Sequence, residues 1–172
     1  MCIRDRILPE LFFTGVLAGE EPIDHTQKRI LRDAADMPPV LRRIMEIHVA
    51  EEARHISFAH TYVARNAPKL SRGQAMTVSL AFPVIMRVLC DAILKPTKEF
   101  RETFDIPDEV VRELYWDSPE SQRFLSDLFG DVRKLAEDSG LMNPAARRVW
   151  KALKIDGRPS RYRGEPPVAF RD

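Results

Sequence analysis

Apolar positions recur at helical spacing along almost the whole chain, and no alternating apolar–polar run or Asn-Gly turn marks a strand or hairpin. Ile7 to Asp33 predicts a first helix, with Phe13, Val16, Leu17, Ile23 and Ile30 on one stripe and Pro22 as a point of bending. Met37-Pro38-Pro39 interrupts, because a residue before proline disfavours helix. A second, long helix is predicted from Pro39 to Asn66, with proline tolerated in its first turn and Ala67-Pro68 closing it. Ser71 is a candidate N-cap for a third helix ending near Lys95-Pro96. Asp105 or Pro107 opens a short helix to Trp116. Ser118-Pro119-Glu120 starts another that should run to Ser139 and stop at Gly140. Asn143-Pro144 repeats that start signal for a last helix to about Lys154, and residues 156–172 have no periodicity and read as an irregular tail.

The most apolar stretch, Ala75 to Leu94, matches a membrane span in length. Pro83, Arg87 and Asp91 interrupt it, and a charge in mid-bilayer is costly, so it reads as a buried core helix kinked at Pro83, with no membrane partner. A net charge of +1 gives no field that would attract nucleic acid. Cys2 and Cys90 make neither a disulfide framework nor a CxxC metal site and suit a reducing, cytoplasmic compartment. Residues 1–6 lack the apolar segment of a signal peptide, and a helical pattern is already running from Ile7. We expect them to be a non-native or truncated start, a short natural leader being the alternative, with 7–155 forming one helical domain.

The chemistry concentrates in His48-Val49-Ala50-Glu51-Glu52-Ala53-Arg54-His55. At about 100° per residue, Glu52 sits roughly 40° and His55 roughly −20° from His48, so three metal-competent side chains fall within about a sixth of the helix circumference. Leu41, Met45 and Tyr62 share that side, which predicts a cluster facing the core. A buried carboxylate between two imidazoles is expensive to desolvate unless a charge meets it, and a metal ion does so. A Glu-x-x-His on a helix is commonly only a surface pair; His48 one turn earlier is what favours a site. The inward-facing Glu-x-x-His is the half-site motif of ferritin-like di-iron proteins, and imidazole with carboxylate suits non-haem iron. No His-Glu-x-x-His occurs, which excludes a zincin.

Residues 48–59, His-Val-Ala-Glu-Glu-Ala-Arg-His-Ile-Ser-Phe-Ala, resemble the second ligand helix of the p-aminobenzoate N-oxygenase (AurF-like) di-iron oxygenases, whose His-x3-Glu-x2-His motif is matched by His48, Glu52 and His55. Residues 19–25 resemble the region that supplies a glutamate from the preceding helix. Glu20 shares the stripe of Phe13, Val16 and Ile23, whereas Glu21 shares a more polar face with Thr14 and Lys28, so Glu20 is the favoured ligand. Glu21 is the alternative, because Pro22 leaves a carbonyl one turn earlier without its amide and a distortion there would swing Glu21 inward.

The resemblance implies an all-α, ferritin-like bundle, here incomplete, since two earlier family helices carrying a glutamate and a second Glu-x-x-His have no counterpart. It implies two iron ions, O2 as co-substrate, an external electron donor and oxidation of a small organic substrate such as an aryl amine. A ferritin-like metal-binding module without oxygenase turnover is the alternative, as is a half-site completed in a homodimer. Glu51, Arg54 and Asp24 are expected around the ligands, Glu51 orienting a histidine or else standing as a solvated carboxylate, and Arg54 pairing with Glu51, Asp24 or another acid or else lying at the surface. His25 and His60 lie off the ligand stripe and are expected at the surface or in a second layer. Met76, Phe82, Val84 and Met86 are expected in the core, with a pocket-lining role as the alternative.

Overall fold

The computed structural model describes residues 9–34 and 36–158, without the side chain of Trp116. Residues 1–8, including the expected start at Ile7 and Cys2, and the tail from 159 lie outside the described residues. Every regular element among those described is helical. Helix α1 is Pro9–Asp33, α2 is Pro39–Asn66 and α3 is Arg72–Leu94. They are followed by α4 (Lys98–Thr103), α5 (Asp108–Arg112), a π-helical turn (Glu113–Asp117), α6 (Pro119–Leu128), α7 (Gly130–Asp138) and α8 (Pro144–Ala152).

The punctuation is local chemistry. Ser71 Oγ accepts from Gln74 N at 3.4 Å while Ser71 N donates to Gln74 Oε1 at 3.1 Å, a reciprocal capping box. Ser118 caps α6 by accepting from Ser121 N, and Asn143 caps α8 by accepting from Ala145 N and Ala146 N, each cap being followed by proline. Gly140 takes the left-handed conformation (φ 75°) that ends α7, and Leu141 N reaches back to Ala136 O at 2.8 Å. Two expectations are corrected here. The helix from Pro119 to Ser139 is broken at Phe129–Gly130, because glycine is a poor helix former and buried Phe129 anchors the turn, letting α6 reach α1 and α7 reach α2. The segment expected from Asp105 or Pro107 to Trp116 is a short α-helix running into a π turn, and α4, capped by Thr97, precedes it unforeseen.

The core forms where α1 packs on both α2 and α3, and α8 closes the other side of α3. Leu17, Ile56, Val63, Phe82 and Met86 are sealed there, and Trp150 meets Phe82 edge-on with ring centroids 6.0 Å apart. Helix α3 runs unbroken through Pro83 and is long and apolar enough to cross a membrane by length and composition, yet only one face packs, through Val78, Phe82, Met86 and Cys90. Val84 and Val88 on its other face are exposed, so the expected buried core helix is buried on one side only. Met76 is exposed too; Phe82 and Met86 are core, and these residues share no single lining. Burial pushes the Cys90 thiol up to about 12, so it stays a protonated core group.

The chain after α8 is fixed by one buried guanidinium. Arg133 donates to Ser126 O (2.6 Å), Ile155 O (2.9 Å) and Arg158 O (2.9 Å), holding residues 155–158 over the α6–α7 break.

Candidate metal centre

Helices α1 and α2 run antiparallel, and their register is visible in three contacts. Phe13 lies on Tyr62 with ring centroids 4.2 Å apart, His60 Nε2 donates to Glu21 Oε1 at 2.6 Å, and His55 Nδ1 donates to Glu20 Oε1 at 3.1 Å. Each step forward along α1 is therefore a step back along α2. The segment after Pro22 stays helical because Thr26 and the following residues continue the ladder, with Thr26 Oγ1 donating to Pro22 O at 2.7 Å.

The fully buried stripe of α1 includes Glu10, Thr14, Leu17, Glu21 and Asp24; of the expected stripe Leu17 is sealed, Phe13 and Val16 pack partly buried against the core, Ile23 is half-buried and Ile30 is exposed. Periodicity alone misjudged it, because α1 is covered from two directions and the face between α2 and α3 holds carboxylates that find partners. Glu21 is the deeper of the two adjacent glutamates and is held by His60. Glu20 is half-buried, with 26% of its side chain exposed, and it is the one that meets His55. His60, expected off the site, forms one of the tightest polar contacts between the helices.

The ligand stripe of α2 is not sealed in the core. Its burial is confined to Ile56, Ala59 and Val63 in the C-terminal half, whereas His48, nearer the N-terminus, is exposed and 63% of the His55 side chain is exposed. Glu52 is intermediate. The expectation of a core-facing cluster is thus corrected: α2 is buried where its C-terminal half meets α1 and α7, and toward its N-terminus the same side is left uncovered by the described residues. That uncovered part also carries Val40, Leu41, Ile44 and Ile47, all exposed, so the candidate ligands sit at the border between the packed part of α2 and an open apolar one. Glu51 and Arg54 are both exposed, and Asp24 pairs with Lys28 (2.7 Å) instead of Arg54.

The polar atoms around this border are under-satisfied. Glu20 Oε2, Asp24 Oδ1 and Glu52 Oε2 are each buried with no hydrogen-bond partner. Burial, followed by the negative charge of Asp24, holds the Glu52 carboxyl above the ordinary carboxylate range, while His48 and Lys28 oppose the rise. Among the described residues no three His, Cys, Asp or Glu side chains are gathered as a formed metal cluster; Glu20 and His55 pair with each other. The donor set nevertheless fits part of a di-iron centre: carboxylates and imidazoles on two facing helices, with orphaned carboxylate oxygens that a cation would satisfy. His25, away from the stripe, is half-buried against Phe124, and burial lowers its basicity.

Comparison with known proteins gives three findings. The family model described as P-aminobenzoate N-oxygenase AurF matches residues 2–140. An uncharacterized protein of Mycobacterium tuberculosis (Rv0885, strain H37Rv) and one of Mycobacterium bovis (Mb0909) are each 60% identical over 159 residues, covering 92% of this chain and 47% of theirs. The chain thus spans about half the length of the curated relatives it matches. No solved structure matches it.

Proposed function

The chain belongs to the p-aminobenzoate N-oxygenase (AurF) family, and from that premise we propose that it is part of an O2-dependent non-haem di-iron oxygenase acting on a small organic substrate such as an aryl amine. The family assignment carries oxygenase chemistry on a helical, ferritin-like scaffold. The observation that supports the finer reading is the pair of orphaned carboxylate oxygens on Glu20 of α1 and Glu52 of α2, beside the contact by which Glu20 meets His55 between the two antiparallel helices.

In this reading Glu20, His48, Glu52 and His55 are the ligands that this chain supplies, and Glu21 is kept from the metal by His60. When bound, the iron pair supplies redox chemistry with O2 that no side chain here provides. The chain's own residues do the rest. Glu20 and Glu52 bring negative charge to a half-buried border, where it holds a cation more strongly than in water. The His55 ring is oriented through Nδ1 by Glu20, which leaves Nε2 as its donor atom. The apolar arc of Val40, Leu41, Ile44 and Ile47 is the surface on which further ligand-bearing helices pack, excluding water from the centre. Those helices lie in the part of the relatives that this chain does not span; a second copy of the chain is the other source. An external donor is the proposed source of electrons.

The test is iron content and O2-dependent oxidation of an aryl-amine panel, measured for the chain alone and with the remaining half of a relative supplied. The chain alone should hold iron weakly, and the complemented protein should bind two irons. Glu52→Ala should lose both iron and product. His48→Ala should keep part of the iron and lose most of the turnover, because ligand identity tunes reactivity. A complemented protein that binds iron and oxidises nothing would establish the metal-binding module instead. A His48→Ala variant equal to the parent in both readouts would remove His48 from the centre.

A further inference from the structure

Asp24 belongs to none of the ligand positions that the motif supplies, and its surroundings are unusual. The residue is 5% exposed. Its Oδ2 is held by Lys28 at 2.7 Å, and its Oδ1 is buried without a partner. A carboxylate oxygen sealed from water with no donor is costly, and such atoms in native proteins need an explanation.

The register between α1 and α2 says where that oxygen lies. Glu20 is level with His55, so Asp24, one turn further along α1, comes level with the turn that precedes His55 on α2. That turn carries Glu52, with His48 one turn beyond. Three carboxylates, those of Glu20, Asp24 and Glu52, therefore share one border, and Lys28 is the cation paired among them. When all three are ionised, two negative charges stay uncompensated, the charge of one divalent ion.

We propose that Asp24 is a further carboxylate of the metal centre, presenting its buried Oδ1 to the cation shared with Glu20 and Glu52 while Lys28 fixes Oδ2. This rests on the metal-centre reading above and extends it to a residue outside the family motif. Lys28 makes Asp24 a one-oxygen donor: with Oδ2 engaged, the carboxylate cannot chelate through both oxygens and is limited to single-atom contact. It also offsets one negative charge, which limits repulsion among the three carboxylates before a metal arrives.

The experiment is titration of the metal-free chain, complemented with the remaining half of a relative, with Co(II), followed by visible absorption and by calorimetry, which requires no turnover. Asp24→Asn keeps the shape of the side chain and should weaken Co(II) binding by about tenfold to a hundredfold with a changed visible band. Lys28→Met breaks the same ion pair but leaves the carboxylate, and should bind Co(II) within about threefold of the parent or more tightly, since one positive charge is gone. Equal losses in both variants would mean that Asp24 acts only by holding α1 through Lys28, and would overturn the proposal. Asp24→Asn with parental affinity and spectrum would overturn it too, while leaving the four-ligand reading standing if Glu52→Gln still loses binding. If Glu52→Gln also binds like the parent, or the parent binds no Co(II), both fail together. A measurement on the parent alone is independent of how the variants fold: Zn(II) should shift the side-chain carboxyl 13C resonance of Asp24, and an unmoved resonance with Zn(II) bound refutes the assignment.

Discussion

Replacing His60 by alanine removes the contact that fixes the register of α1 against α2, and with it the alignment of Glu20 and His55. The bond from His60 Nε2 to Glu21 Oε1 is 2.6 Å long, and 16% and 6% of the two side chains are exposed. A hydrogen bond to a charged acceptor contributes roughly 1.5–3 kcal/mol, and leaving a buried carboxylate without its partner costs up to about 3–5 kcal/mol. Glu21 has another interaction partner, so it is not left wholly stranded, and the lower part of that range applies. The expected destabilisation is about 2–3 kcal/mol, which for a domain of this size lowers the melting temperature by roughly 4–12 °C. The assay is thermal unfolding of the metal-free chain by circular dichroism at pH 7.5, with Glu21→Gln as the companion. Glutamine can still accept from His60, so Glu21→Gln should lose less than half as much. Its metal affinity should stay near the parent's if Glu20 is the ligand, and Glu20→Gln should lose it. A His60→Ala melting temperature within 1 °C of the parent would show that apolar packing alone sets the register. Loss of metal in Glu21→Gln but not in Glu20→Gln would exchange the roles of the two glutamates.

Glu52→Gln should stabilise the metal-free chain at neutral pH. The folded-state Glu52 carboxyl titrates above its unfolded value, so the folded chain binds that proton more tightly and stability falls as pH rises through the raised pKa; the variant removes that loss, and the gain should vanish in urea titrations near pH 4. His25 has the opposite sense: burial lowers its basicity, so unfolding is favoured by protonation once pH drops below about 6.5, and His25→Gln should flatten the fall in melting temperature between pH 8 and 5.5. Gly157→Ala places a methyl group against Ser126 Oγ and the Arg133 guanidinium, and should cost about 1–3 kcal/mol, relieved when Ser126 is also changed to glycine. Ser71→Ala removes the capping box of α3 and should cost about 1 kcal/mol in chemical denaturation, with Ser71→Asp largely restoring it.

The sequence by itself determined the elements whose ends are written in local chemistry. Helix α2 runs from Pro39 to Asn66 and α3 follows the Ser71 cap, because proline at a first turn and a serine three residues before glutamine act on their own backbone and need no distant partner. His48, Glu52 and His55 were legible for the same reason: their spacing on one helix is a property of that helix. Burial was not, since it depends on which neighbours arrive. Periodicity assigned Glu20 to the interior of α1, but α2 and α3 cover the Glu10–Asp24 stripe instead, so Glu21 and Asp24 are sealed and Glu20 is left at the border. The break at Phe129–Gly130 likewise follows from α6 and α7 packing on different helices, a demand that no short window expresses. Tertiary structure alone paired His60 with Glu21 and set Asp24 level with Glu52, because residues more than twenty positions apart meet only once an antiparallel register is chosen, and that register is fixed by side chains on both helices together.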